Sequence, residues 1–235
     1  MASEPDRLAD LQVVERGSAL ALLPLAATLG YYLLPADLQE RTLVQFIPQL
    51  LAYLALFLWA SRNQRIWPRL GLEKASIQNG LRWGLTTGLL LGILNTFMIL
   101  SIYPALGYDI TFLKSTPHGR LPVLLMVPWI ICFIALFVEL NFRGFLLGRC
   151  AALETSLWTS GLCRGLPPVV LVTSALAFTF DPFMINTFQH LHWIALWDGL
   201  IWGAIRLRTG NLSITIVAHA VEVMIMYLAV RTAIG

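Results

Sequence analysis

Charge is what this sequence has least of. Of its 235 residues only 12% are Asp, Glu, Lys or Arg, against 57% hydrophobic, and its mean hydropathy is +0.72. A water-soluble domain carries about twice that charged fraction, so the soluble globular classes are excluded. Cysteine is also scarce. Cys132, Cys150 and Cys163 are the only three and show no CxxC spacing, which argues against a disulfide framework and a cysteine-type zinc site. There is no internal repeat, no low-complexity tract and no polar stretch long enough to fold by itself. The opening MASEPDRLADLQVVERG lacks the basic region and small-residue cleavage site of a secretory signal, so the first apolar run is expected to be retained. A net charge of +3 is too small to point to nucleic acid.

What the sequence has in abundance is long apolar runs, each near the ~20 residues that a spanning helix needs. They are continuously apolar and do not alternate with period two, which excludes a β-barrel. The expected fold is all-α, a polytopic transmembrane helical bundle of about seven or eight membrane helices. Spans are expected near 17–35, 43–61, 80–103, 121–147, 168–181, 190–206 and 211–231, with an interfacial segment around 150–166. Residues 1–16 read as a cytoplasmic N-terminal segment and 17–235 as one transmembrane domain. The basic residues set the orientation. With the N-terminus inside, Arg7, Arg16, Arg62, Arg65, Arg69, Lys74, Arg82, Arg149, Arg164, Arg206 and Arg208 face the cytoplasm, and Arg41, Lys114, Arg120 and Arg231 face out. The most basic loop, RNQRIWPRLGLEK (62–74), is either an ordinary topogenic loop or a place to recruit anionic lipid.

Against this background every intramembrane polar group is a candidate for function. FVELNFRGFLLGR (137–149) holds Glu139 and Arg143 four residues apart, on one helical face. They form either a satisfied ion pair locking neighbouring helices or one wall of a site. IVAHAVEVMIMY in the last span holds His219 and Glu222, three apart and again on one face. Imidazole and carboxylate are a usual donor set for zinc, although a hydrogen-bonded polar cluster has the same composition. FTFDPFMINTFQHLHW supplies Asp181, at a turn or helix start before Pro182, and the pair His190 and His192, which point to different faces of a helix. Asp198 is a further intramembrane acid, and its neighbours Gly199 and Gly203 form a GxxxG packing signal. The acids and histidines concentrate in the second half, and the first three spans hold almost none. Metal-assisted hydrolysis needs two or three ligands, a polarised water and a base. Glu139, His192, His219 and Glu222 supply these if three helices converge. Ser160-Gly161 is a weak start for a serine protease, an aspartyl dyad lacks its context, and Cys132 has no basic neighbour to activate it.

The order of these features resembles the CPBP family of intramembrane metalloproteases, also called the CAAX-protease and bacteriocin-processing or Abi family. VELNFRGFLLGR is similar to that family's EExxxR motif. GLIWGAIRLRTGNLSITIVAHAVEV (199–223) is similar to its last two helices, with a GxxxG, a basic turn and the HxxxN motif. RLGLEKASIQNGLRWGLTTG resembles its entry to the third helix. The likeness covers about residues 65–225. It implies endoproteolysis of a membrane-associated protein or peptide, with a glutamate and a histidine activating water beside a divalent metal, expected to be zinc. Position by position, Glu139 matches the second Glu, Arg143 the Arg and His219 the last His. These three are the expected catalytic residues, and His192, His219, Glu222 and Asp181 the expected metal donors. The sequence departs from the pattern at the first Glu, which is Val138, and at the Asn, which is Val223. The middle FxxxH motif has two registers, Phe178 to Pro182 or Phe188 to His192. A proteolytically silent relative that binds or scaffolds a membrane partner shares the same fold. The expected partners are the lipid bilayer and a membrane-associated substrate, and the expected location is the plasma (inner) membrane of a bacterium.

Overall fold

Helix is the one structure an apolar run can adopt in hydrocarbon while satisfying its own backbone hydrogen bonds. The computed structural model describes residues 15–158 and 169–234, and among them every regular element is helical. The principal helices are α1 (Ser18–Tyr31), α2 (Ile47–Ala60), α3 (Ile77–Phe97), α4 (Val123–Leu153), α5 (Val169–Thr179), α6 (Pro182–Phe188), α7 (Ile194–Thr209) and α8 (Leu212–Ile234). Part of the expected interfacial segment at 150–166, with Ser160, Gly161 and Cys163, lies outside the described residues, as does most of the N-terminal segment 1–16.

Three stretches are long and apolar enough to cross a membrane: Ile66–Ala105, Val123–Leu153 and Leu212–Ile234. A fourth arises if Val169–Thr179 and Pro182–Thr209, bent by 49° against each other, count as one. The lengths thus support three or four crossings, short of the seven or eight expected. At 1.5 Å per residue α1 and α2 are each about 20 Å long, less than the ~30 Å of a bilayer's hydrocarbon. The expected fifth and sixth spans are the two arms of the bent pair. The bend falls at Asp181-Pro182, where the Asp181 carboxylate caps α6 by accepting from the backbone N–H of Phe183 (3.0 Å) and Met184 (3.4 Å).

Close packing of α3 on α8 organises the interior. Gly80, Gly84, Gly88 and Gly92 recur every fourth residue of α3, and the α8 backbone lies directly against them. A Cβ on Gly88 would stand 2.5 Å from the carbonyl oxygen of Ala218. The same device joins α7 to α5, where a Cβ on Gly199 would stand 3.0 Å from the Ala175 backbone. One end of the bundle gathers the starts of α1, α3 and α8 and the ends of α2, α4 and α7. The turns are tied there by Leu212 N–H to the Gly71 carbonyl (2.8 Å) and Asn211 Nδ2 to the Ser76 carbonyl (2.9 Å). At the other end, Arg231 of α8 donates to the carbonyls of Gly119 (3.1 Å) and Leu121 (2.9 Å) in the segment leading into α4.

Candidate functional site

Midway along α4 the regular turn widens to a π-helix over Leu140–Leu146. Such widened turns are frequent at functional sites because they re-aim side chains. This one begins right after Glu139 and carries Arg143. The expected pair is made: Arg143 Nη1 donates to Glu139 Oε1 at 3.0 Å, and both side chains are buried. The same Oε1 lies 3.0 Å from Nδ1 of His219, so α4 and α8 meet at one carboxylate oxygen. The guanidinium of Arg143 stands over the rings of Phe178 (4.3 Å) and Trp202 (5.0 Å). His219 stacks on Trp202, with ring centroids 4.7 Å apart. Among the described residues Nε2 of His219 has no hydrogen-bond partner, and the ring lines a cavity.

A second polar node adjoins the first. Asn95 of α3 donates Nδ2 to Glu222 Oε1 (2.6 Å) and to both oxygens of Asp198 (3.1 and 3.2 Å), while its Oδ1 accepts from Trp197 Nε1 (2.9 Å). Three side chains from α7 and α8 thus converge on one amide of α3. Asn95 went unread in the sequence, where α3 passes for a plain apolar scaffold. The available signal was its place three residues after Gly92, at the end of the glycine stripe that presses α3 onto α8.

These groups stand at one wall of a cavity of about 1080 Å³. His219, Glu222, Asp198 and Trp202 line it, and Glu139 stands behind His219. Most of the remaining wall is apolar, with Phe133, Phe137, Phe142 and Phe178 among its members. Lys114, Thr116, His118 and Arg231 edge it at the end away from the helix-tied turns. Val138 and Val223, where the resemblance places its first Glu and its Asn, both line this cavity. Of the middle-motif positions, Phe178 and Phe188 reach it, as does the neighbouring Asp181, whereas Pro182 and His192 do not.

The four expected metal donors are not brought together. Asp181 caps α6 and accepts from Gln49 Nε2 (2.9 Å). His192 turns Nδ1 to the carbonyl of Gln189 and packs on Phe180 and Trp193. Only His219 and Glu222 are neighbours, and each already holds another side chain. Among the described residues no three of His, Cys, Asp and Glu are placed to hold a metal ion. As placed, these residues do not make a three-ligand centre.

Fold and site together define a membrane-embedded helical bundle with a carboxylate, imidazole and guanidinium node beside an apolar cavity. Residues 120–225 match the family model described as Type II CAAX prenyl endopeptidase Rce1-like, which supports the resemblance to the CAAX-protease (CPBP) family over that stretch. The match runs from the start of α4 into α8. It includes Glu139, Arg143, Asp198, His219 and Glu222 and leaves out α1 to α3 with Asn95. No match was found among curated proteins or among solved structures.

Proposed function

We propose that the chain is an intramembrane endopeptidase of the CAAX-protease type in which His219 is the base. The observation that carries this reading is the 3.0 Å contact between His219 Nδ1 and the buried, Arg143-paired Glu139. A carboxylate that accepts from Nδ1–H fixes the tautomer and leaves the Nε2 lone pair for a proton. His219 then takes a proton from a water in the cavity as the hydroxide adds to the scissile carbonyl carbon. It returns that proton to the leaving amine as the C–N bond breaks. Glu139 and Arg143 act as positioning residues: the first stabilises the imidazolium, the second keeps the first ionised in hydrocarbon. Trp202 Nε1 is a buried donor without a partner among the described residues, on a ring stacked against His219, and is the group on hand to donate to the carbonyl oxygen.

The substrate is a membrane-associated protein or peptide, presented to a largely apolar cavity. The basic end of the bundle, with the N-terminal segment, faces the cytoplasm, and α1, α2 and the two arms of the bent pair, α5 and α6–α7, complete a seven-helix crossing pattern. The zinc expected from the resemblance would compete for the same Nε2 of His219 that serves as the base, because Nδ1 is held by Glu139. The test is cleavage of membrane-tethered peptides by the purified protein in proteoliposomes, with and without a chelator. Cleavage by the wild type and none by His219→Ala supports the reading. Loss with the chelator and recovery with zinc would add the metal.

Val138 and Val223 favour a second reading. With valine at two cavity-lining positions where the resemblance has polar groups, the chain is a proteolytically silent binder of a membrane partner. Wild-type protein that retains such a peptide without cutting it supports this second reading over the first.

A further inference from the structure

We propose that a phosphate group, carried by the headgroup of an anionic phospholipid, binds between the guanidinium groups of Arg149 and Arg206 at the helix-tied end of the bundle. This inference is independent of the proposed protease chemistry. Arg149 closes the C-terminal part of α4 and is only 5% exposed. Its Nε pairs with Glu15 Oε1 at 2.6 Å, Nη2 reaches the carbonyl of Arg69 at 3.4 Å, and its plane lies 4.2 Å over the ring of Trp59. Its Nη1 is buried with no partner among the described residues, and so is Nε of Arg206.

Arg206, near the end of α7, meets the same loop at Gly71, two residues beyond the Arg69 carbonyl that Arg149 reaches. Its guanidinium packs on Gly71, a left-handed residue (φ 79°) at which a Cβ would stand 2.7 Å from Arg206 Cζ and 2.5 Å from the Gly210 carbonyl oxygen. A third guanidinium, that of Arg69, shares the Glu15 carboxylate at 3.2 Å. Among the described residues Glu15 is the one acid in ion-pair contact with this group. Arg149 shares its carboxylate with Arg69, Arg206 adds a guanidinium that is in no ion pair among the described residues, and the buried N–H donors at Arg149 Nη1 and Arg206 Nε are left unused. Burying such charge is unfavourable unless an anion completes it.

Position and geometry select the anion. The site lies where six helix ends meet the loop 62–74, beside Trp59 and the exposed Trp67, and tryptophan of this kind sits at the headgroup level of a bilayer. A planar guanidinium pairs two N–H groups with two phosphate oxygens, and basic pockets between membrane helices take lipid headgroups. The loop that reads from sequence as topogenic thus also forms one side of a headgroup site.

The test reconstitutes the full chain in nanodiscs of phosphatidylcholine alone or mixed with phosphatidylglycerol, and compares thermal midpoints. The wild type is expected to show a higher midpoint in the mixed discs. Arg206→Gln should lose more than half of that rise, and Arg206→Lys, which keeps the charge without the planar fork, should lose part of it. Arg208→Gln, an exposed arginine at the same end, should keep it. Native mass spectrometry should find less retained phosphatidylglycerol on Arg206→Gln than on the wild type. An equal rise in the wild type and Arg206→Gln, or no rise in the wild type, overturns the proposal. So does a rise of the same size when inorganic phosphate is added to discs of phosphatidylcholine alone, because it assigns the pocket to a soluble ion.

Discussion

At the scale of single residues the chemistry turns on which atom each group leaves free. Glu139 spends Oε1 on two partners, and His219 spends Nδ1 on Glu139, so Nε2 is what remains for water. Replacing His219 by Ala or Gln should lower cleavage of a membrane-tethered peptide by about a hundredfold or more, the usual worth of a positioned base. Glu139→Gln should do two things at once. It frees the imidazole to adopt the other tautomer, and it strands the buried Arg143. Breaking a buried pair costs about 3–5 kcal/mol, which unfolding in detergent should register as a lowered midpoint. Val138→Glu is the complementary change. It adds a carboxylate at a cavity-lining position, and the expected outcome is faster cleavage with His219 intact.

Between elements the decisive contact is the glycine stripe of α3 on α8. It presses the two backbones together and so delivers Asn95 to Glu222 and Asp198. Gly88→Val inserts bulk where the Ala218 carbonyl lies and should cost about 1–3 kcal/mol by overpacking. Because Ala218 precedes His219, activity should fall further than stability alone explains. Gly148→Ala is the control. A Cβ there meets nothing within 4 Å, so a helix-favouring methyl should leave stability unchanged or raise it by up to about 1 kcal/mol. Thermal unfolding of the two variants side by side separates close approach from a general intolerance of α-helical glycine replacement.

For the molecule as a whole, the two ends differ in charge and in what they close. One end carries the guanidinium cluster of Arg69, Arg149 and Arg206. The other edges the cavity with a segment, 111–120, that Arg231 and Tyr227 tie to α8. His118 of that segment packs on Phe183 and Phe188, and burial holds its imidazole below the ordinary value of 6.5. A lowered histidine pKa stabilises the fold fully at pH above the unfolded value. That contribution is lost as pH falls, because the unfolded chain takes up the proton first. Lys114, Arg120 and Arg231 add like charge on the same side. Stability measured between about pH 7 and pH 5 should therefore decline in the wild type, and His118→Phe should flatten the decline.

Much of this was legible in the sequence. Apolar runs too long for a soluble core give a helical membrane protein, because hydrocarbon offers the backbone no other partner. The spacing of Glu139 and Arg143 places them on one face, and so does that of His219 and Glu222. The match over residues 120–225 bears out the family read from the motifs around them. What spacing cannot carry is distance between helices. Only the tertiary structure brought Glu139 to His219, set Asn95 between Glu222 and Asp198, and left Asp181 and His192 apart from them. It also decided the lengths of the helices, since a run of apolar residues does not show where the chain bends, as it does at Asp181-Pro182. A one-dimensional pattern fixes which face a residue takes on its own helix. Which faces meet depends on backbone approach, and here that approach is set by glycines on α3 and α7.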